Sequence, residues 1–399
     1  MLKLLLCAVL GSLAVICVAV NPVAASVAPS TRLASTSNLA QASNGESDAT
    51  SISSDGRYVA FASSASNLVA GDTNGWADVF VKDLNTGSIR RASVASGGGE
   101  ANSLSGQPSI SGDGKFVAFE SAASNLVSGD TNNKRDIFVR VLESNFTVRV
   151  STDSVGAESD NQSVNPSFAA QAGHIAFASD ATNLVTGDTN GERDIFVKNL
   201  TDGSVSRAST NGSGNEGDKF SDHPSISADG QSVAFASHSS NLVSGDLNGA
   251  MDVFVKDLQS GDASQASSSI AGAGGNAISV NPAISADGKS VAFTSSATNL
   301  VGADTNGRDD IFVKDLDSGN TLRANKTVRD EQATDGESGL ASISSDGRYV
   351  AFVSRATNLV GTGIDTNNRS DVFIKDLATD QINRASLTTV GLQGNGASN

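Results

Sequence analysis

Cysteine is almost missing from this chain of 399 residues: there are two, Cys7 and Cys17, and both lie in the first 25 positions. Beyond them no disulfide, thiol nucleophile or cysteine metal site can exist. Proline is scarce at 6, tyrosine at 2, and there is one tryptophan, so a proline-rich extended linker is excluded. After Val20 no apolar run is long enough to span a bilayer. Positive charge is also short: 27 Lys and Arg face 43 Asp and Glu, a formal net charge of -16. Nucleic acid and anionic membrane would both be repelled without a counterion. Three histidines are present. None has a His-x-x-x-His neighbour, and no Gly-x-Ser-x-Gly elbow occurs. No helical period follows the N-terminal segment.

That segment, residues 1–25, is distinct. Lys3 precedes an apolar run from Leu4 to Val20. Pro22 breaks it, and Val23-Ala24-Ala25 offers small residues before Ser26. This is the pattern of a secretory signal peptide. The expectation is an exported chain, periplasmic or extracellular, with a mature part free of cysteine and of membrane spans.

What is abundant is glycine, 40 residues, and a repeat. Ser51-Ile52-Ser53-Ser54-Asp55-Gly56-Arg57-Tyr58-Val59-Ala60-Phe61 returns almost unchanged from Ser342 to Phe352. Anchor glycines recur at Gly56, Gly114, Gly173, Gly230, Gly288 and Gly347, at intervals of 57–59 residues. Each copy holds four short strand candidates. Pro108–Ser111 and Phe116–Phe119 flank a tight Asp-Gly turn, Asp136–Val139 forms the third, and Val205–Ser209 is typical of the fourth. Apolar residues fall on both faces of the second and third strands, so each sheet must be covered on both sides. Radial stacking does this. The sequence therefore predicts an all-β fold over residues 26–386, a six-bladed β-propeller with four antiparallel strands per blade. Residues 387–399 are expected to trail as a loose tail. Twelve of the sixteen phenylalanines occupy two repeat positions, exemplified by Phe119 and Phe138, and are expected to pack between blades. Thr31–Ser35 looks like an additional fourth strand ahead of the first copy. Either it or Ile382–Ser386 could complete the last blade.

Ser-x-Asp-Gly followed by Val-Ala-Phe, then Asp-(Ile/Val)-Phe-Val-Lys-Asp-Leu, resembles the WD40-like (PD40) propeller repeat of the TolB type. The match lies at Ser53–Phe61, Ser111–Phe119, Ser227–Phe235, Ser285–Phe293 and Ser344–Phe352. The resemblance implies a six-bladed propeller in or outside the bacterial envelope that binds other proteins. The third copy departs from it, reading Ala169-Ala170-Gln171-Ala172-Gly173, and proline is absent from the turn in every copy.

The connector between second and third strands is acidic and patterned as Asp-x-Asn-x-x-x-Asp in all six copies. The sets are Asp72, Asn74, Asp78; Asp130, Asn132, Asp136; Asp188, Asn190, Asp194; Asp246, Asn248, Asp252; Asp304, Asn306, Asp310; and Asp365, Asn367, Asp371. Oxygen donors at this spacing suit calcium, which takes carboxylate, amide and backbone oxygens and water. The same residues also form Asx-turns without any ion. Both readings stand at this point.

Loops joining second to third strands, and each blade to the next, share one face and are long. That thick, acidic face is the expected binding surface for a protein or glycan. With no recognisable catalytic motif, the expectation is a non-enzymatic scaffold. The alternative is a carbohydrate-active hydrolase or lyase with its site in the central channel.

Overall fold

A computed structural model describes residues 4–10, 14–20, 31–171, 173–361, 365–388 and 390–398. Six four-stranded antiparallel sheets form the blades of a six-bladed β-propeller. In blade one the strands are Ser47–Ile52, Tyr58–Ser63, Asp78–Asp83 and Ile89–Arg91, paired in chain order. The other blades span residues 105–149, 163–207, 221–265, 279–323 and 338–384 with the same order. The chain divides into two compact units, residues 1–191 with 196–206, and residues 192–195 with 207–399. The first contains blades one and two, the second blades four to six, and blade three contributes to both. Among the described residues no helix is long and apolar enough to cross a membrane.

The turn between first and second strands forms because one aspartate satisfies it locally. Ser53 Oγ donates to Asp55 Oδ1 at 2.6 Å, and the Arg57 amide donates to the same oxygen at 2.9 Å. Gly56 then takes φ 69°, a conformation that a side chain would disfavour.

The two-faced strands pack as their sequence requires. In the first unit, Ala60, Val79 and Val81 of blade one meet Val117, Phe119 and Phe138 of blade two. Ala118, Ile137 and Val139, on the other face of blade two, meet Ile175, Phe177 and Phe196. In the second unit, Ala234, Val253 and Val255 meet Val291, Phe293 and Phe312. One face thus offers phenylalanine and the other small or β-branched residues, and all twelve repeat phenylalanines are fully buried. Each phenylalanine also has a partner in its own blade. Phe119 and Phe138 sit opposite each other in register, with ring centroids 5.9 Å apart.

Three features differ from, or add to, the sequence expectation. Every first strand carries a bulge, and its extra residue has positive φ although none is glycine: Ala49, Gln107, Asn165, His223, Asn281 and Leu340. The last blade uses its own fourth strand, Ile382–Arg384. Thr31–Leu33 pairs instead with Ala14–Val20, which in turn pairs with Leu4–Leu10. Of the expected leader, residues 1–3, 11–13 and 21–25 lie outside the described residues. The C-terminal segment, expected to be loose, bonds back to blade six. The Ser398 amide donates to the Ser370 carbonyl at 2.7 Å, and Asn367 Nδ2 donates to the Gly394 carbonyl at 2.8 Å.

Candidate acidic loop site

The second aspartate of each loop opens a third strand and is fully buried. It survives there because its oxygens are met. In blade one, Ser93 Oγ donates to Asp78 Oδ1 at 2.5 Å and Asn74 Nδ2 donates to Asp78 Oδ2 at 3.0 Å. Asn74 Oδ1 accepts from the Trp76 amide at 2.9 Å, and Nδ2 also donates to the Ala101 carbonyl at 3.1 Å. The asparagine is thus a brace. Its amide oxygen holds the loop backbone, and its NH₂ ties the loop to the next connector. Asn132, Asn248 and Asn306 make the same set of bonds. This is the Asx-turn geometry that the sequence allowed.

In five of the six blades the acids of the loop lie beside a positive charge from the fourth strand. Arg91 Nη1 lies 3.2 Å from Asp72 Oδ1, 2.9 Å from Asp78 Oδ2 and 2.7 Å from Glu100 Oε1. Its Nη2 donates to the Gly71 carbonyl at 3.3 Å. Arg149 stands among Asp130, Asp136 and Glu158 in the same way. Arg207 contacts Asp194 and Glu216. Arg323 contacts Asp304 at 3.2 Å and Asp310 at 3.4 Å, and Arg384 lies 3.9 Å from Asp365 and 3.7 Å from Asp371. The fourth-strand arginines were visible in the sequence as Arg-Ala-Ser at Arg91, Arg207 and Arg384. So was the Glu or Gln nine residues on. What linear order did not show is that the loop and the end of the fourth strand meet.

One carboxylate oxygen each from Asp130, Asp136 and Glu158 lie within 4.8 Å of one another, close enough to share one cation. Asp130 Oδ1 is buried without a hydrogen-bond partner, with Arg149 Nη1 3.8 Å away. Burial pushes the Asp130 carboxyl up to about 6, and the charge of Asp136 adds to this. Burial also raises Asp72, Asp246 and Asp304. Glu100 moves the other way: hydrogen bonds from Thr73 hold it down to about 2. On the opposite side of the blade, the Arg57 guanidinium holds Asp83 down to about 2.

These opposed shifts set a pH dependence. Asp130 binds its proton more tightly when folded. Its contribution to stability is full below its unfolded value, about 4, and is lost as pH rises through about 6. Asp72, Asp246 and Asp304 act in the same sense. Asp83 and Glu100 contribute above their unfolded values, about 4 and 4.3, and lose that contribution as pH falls toward 2. The melting temperature should therefore rise between about pH 7 and pH 5 and drop below about pH 4. A thermal scan at each pH checks this, and a steady fall from neutral pH downward would show the burial effect to be absent.

No protein family and no curated protein matches the chain. Among solved structures it is similar to the β-propeller domain of the Trilobed protease from Pyrococcus furiosus, with 13% identity, 96% of this chain and 98% of that chain covered, and a TM-score of 0.53. It is similar to an oligogalacturonate lyase in complex with manganese, with 10% identity, 96% and 84% coverage, and a TM-score of 0.52. It is also similar to TolB from Acinetobacter baumannii, with 18% identity, 79% and 62% coverage, and a TM-score of 0.45. The chain spans 62% of that TolB. At these identities the likeness shows the fold, and TolB is one of several propellers that share it. The expectation of a non-enzyme is corrected by the same findings. The lyase, and a propeller that is part of a protease, match at a TM-score above 0.5. The acid cluster around Asp130 also holds carboxyls of unequal acidity. The lack of a familiar motif does not exclude catalysis on this fold.

Proposed function

We propose that this chain is an exported carbohydrate-active enzyme, a hydrolase or lyase, that takes a glycan at its acidic loop face. The observation that carries the reading is the pair of unlike carboxyls in blade two. Burial raises Asp130 to about 6, so it takes up a proton at mildly acid pH, whereas hydrogen bonds from Thr131 and the charge of Arg149 lower Glu158. One carboxyl that protonates easily and one that stays ionised, with oxygens within 4.8 Å, form an unlike pair of the kind that serves acid–base chemistry on a sugar. Trp76, on the equivalent loop of blade one, is 48% exposed and offers a ring face for a sugar to stack on. The apolar leader, residues 1–25, supports export of the mature chain. The match to an oligogalacturonate lyase suggests polyuronates as one substrate class to include.

The test is turnover of purified mature protein on a panel of neutral glycans and polyuronates. Reducing ends report hydrolysis, and ultraviolet absorbance of an unsaturated product reports elimination. Cleavage of at least one glycan is expected, with the rate reduced about 10²–10⁴-fold in Asp130→Asn and the far-ultraviolet spectrum unchanged. No turnover on the panel, or undiminished turnover in that variant, would overturn the reading.

A further inference from the structure

Five of the six acidic loops share three side chains: an arginine on the fourth strand, a threonine in the loop, and a Glu or Gln on the connector that follows. Blade four has lost all three. Gln265, Leu247 and Gly274 stand in their places. A surface cavity of about 270 Å³ opens there, lined by Asp246, Leu247, Gly274 and Gly275 among others. Leu247 is 93% exposed, the most exposed of the large apolar side chains described.

The three losses strip partners from one donor and one acceptor. In the sister loops the threonine amide donates to the connector side chain: Thr73 to Glu100 at 2.9 Å, Thr131 to Glu158 at 3.0 Å, Thr305 to Gln332 at 3.3 Å and Thr366 to Gln393 at 3.1 Å. Gly274 has no side chain, so the Leu247 amide has no such acceptor. Asp246 is 8% exposed and lines the cavity. Among the described residues no Lys or Arg pairs with it, and the donor turned toward it is the Asn248 amide. A carboxylate accepts about four hydrogen bonds, so most of its capacity is unused. Asp252 and Asp218 keep its surroundings negative. Polar groups short of partners gain from a ligand that supplies them.

A bare cation would answer Asp246 but not the amide. An anion would answer the amide but not Asp246. A hydroxyl both donates and accepts. A neutral sugar sets several hydroxyls around one ring, and its C–H face suits an exposed leucine. We propose that the cavity in the fourth acidic loop binds one neutral sugar residue of a glycan. Its hydroxyls donate to Asp246 and accept from the Leu247 amide, and the ring lies against the Leu247 side chain. The negative surroundings exclude uronates. Affinity for a single sugar is about 1 mM. This site extends the glycan reading to a second place and holds a sugar without cleaving it, so binding here and turnover in blade two fail separately.

The test uses the full mature chain with leucine methyl groups labelled for nuclear magnetic resonance. Leu247 is assigned as the signal that Leu247→Thr removes. Glucose, galactose, mannose and N-acetylglucosamine are the neutral probes, and galacturonate is the acidic one. At least one neutral sugar should shift the Leu247 signals with half-saturation at about 1 mM, and galacturonate should not. Gly274→Glu returns the sister acceptor to the amide and fills the cavity, so it should weaken binding at least about tenfold. A β-carbon at Gly274 falls 3.0 Å from Gln265 Oε1, the far end of a side chain with room to turn, so this variant keeps the fold even if Asp246→Ala does not. Asp246→Ala should weaken binding as well. Three outcomes would overturn the proposal: no shift with any neutral sugar up to about 50 mM, a shift undiminished in Gly274→Glu, or galacturonate binding as well as galactose. A sugar-induced shift without turnover on the glycan panel would sink the catalytic reading and leave this one standing.

Discussion

Truncating Phe293 to alanine should cost about 3–5 kcal/mol of unfolding free energy. The side chain is fully buried. It stacks on Phe312 across its own blade, with centroids 5.9 Å apart, and it meets Ala234, Val253 and Val255 of blade four. Small residues on the facing blade cannot grow into the space, so the cavity remains and adds to the lost transfer energy. Phe119→Ala should behave alike, because its surroundings in the first unit are the same in kind. Urea denaturation of the variants gives the figure directly. A loss under about 1 kcal/mol would mean that the site collapses, and that the paired phenylalanines are not the centre of blade packing.

Replacing Arg91 by methionine should have an effect of similar size for a different reason. Methionine fills much the same volume but leaves Asp72, Asp78 and Glu100 facing one another without a cation. Removing one partner of a buried ion cluster costs about 3–5 kcal/mol, because the remaining charges stay desolvated. The loss should shrink as pH is lowered toward about 5, where the raised Asp72 carboxyl can take a proton instead. Parallel denaturation curves at two pH values test this. A loss that is small, or equal at both, would show that these acids do not depend on the guanidinium.

Much of the architecture could be read from the repeat. Apolar residues on both faces of strands such as Phe116–Phe119 required two covered sides, and the Asp-Gly turns fixed antiparallel neighbours. Both conclusions depend on residues close in sequence. The partner of the acidic loop does not: Arg91 lies 13 residues after Asp78 and reaches it only because strands three and four pair. The acid pattern could thus be recognised, but the identity of its cation could not. The bulges were illegible for another reason. Ala49, Gln107 and Leu340 have no preference for positive φ, so the surrounding sheet imposes that conformation.

The account turns on one requirement: in five of the six acidic loops the buried acids are neutralised from within, by the arginine of their own fourth strand. Anomalous diffraction from a crystal soaked in manganese measures this loop by loop. No manganese peak at any of the five arginine-filled loops is the predicted map. A peak between the acids of any of those five would contradict it.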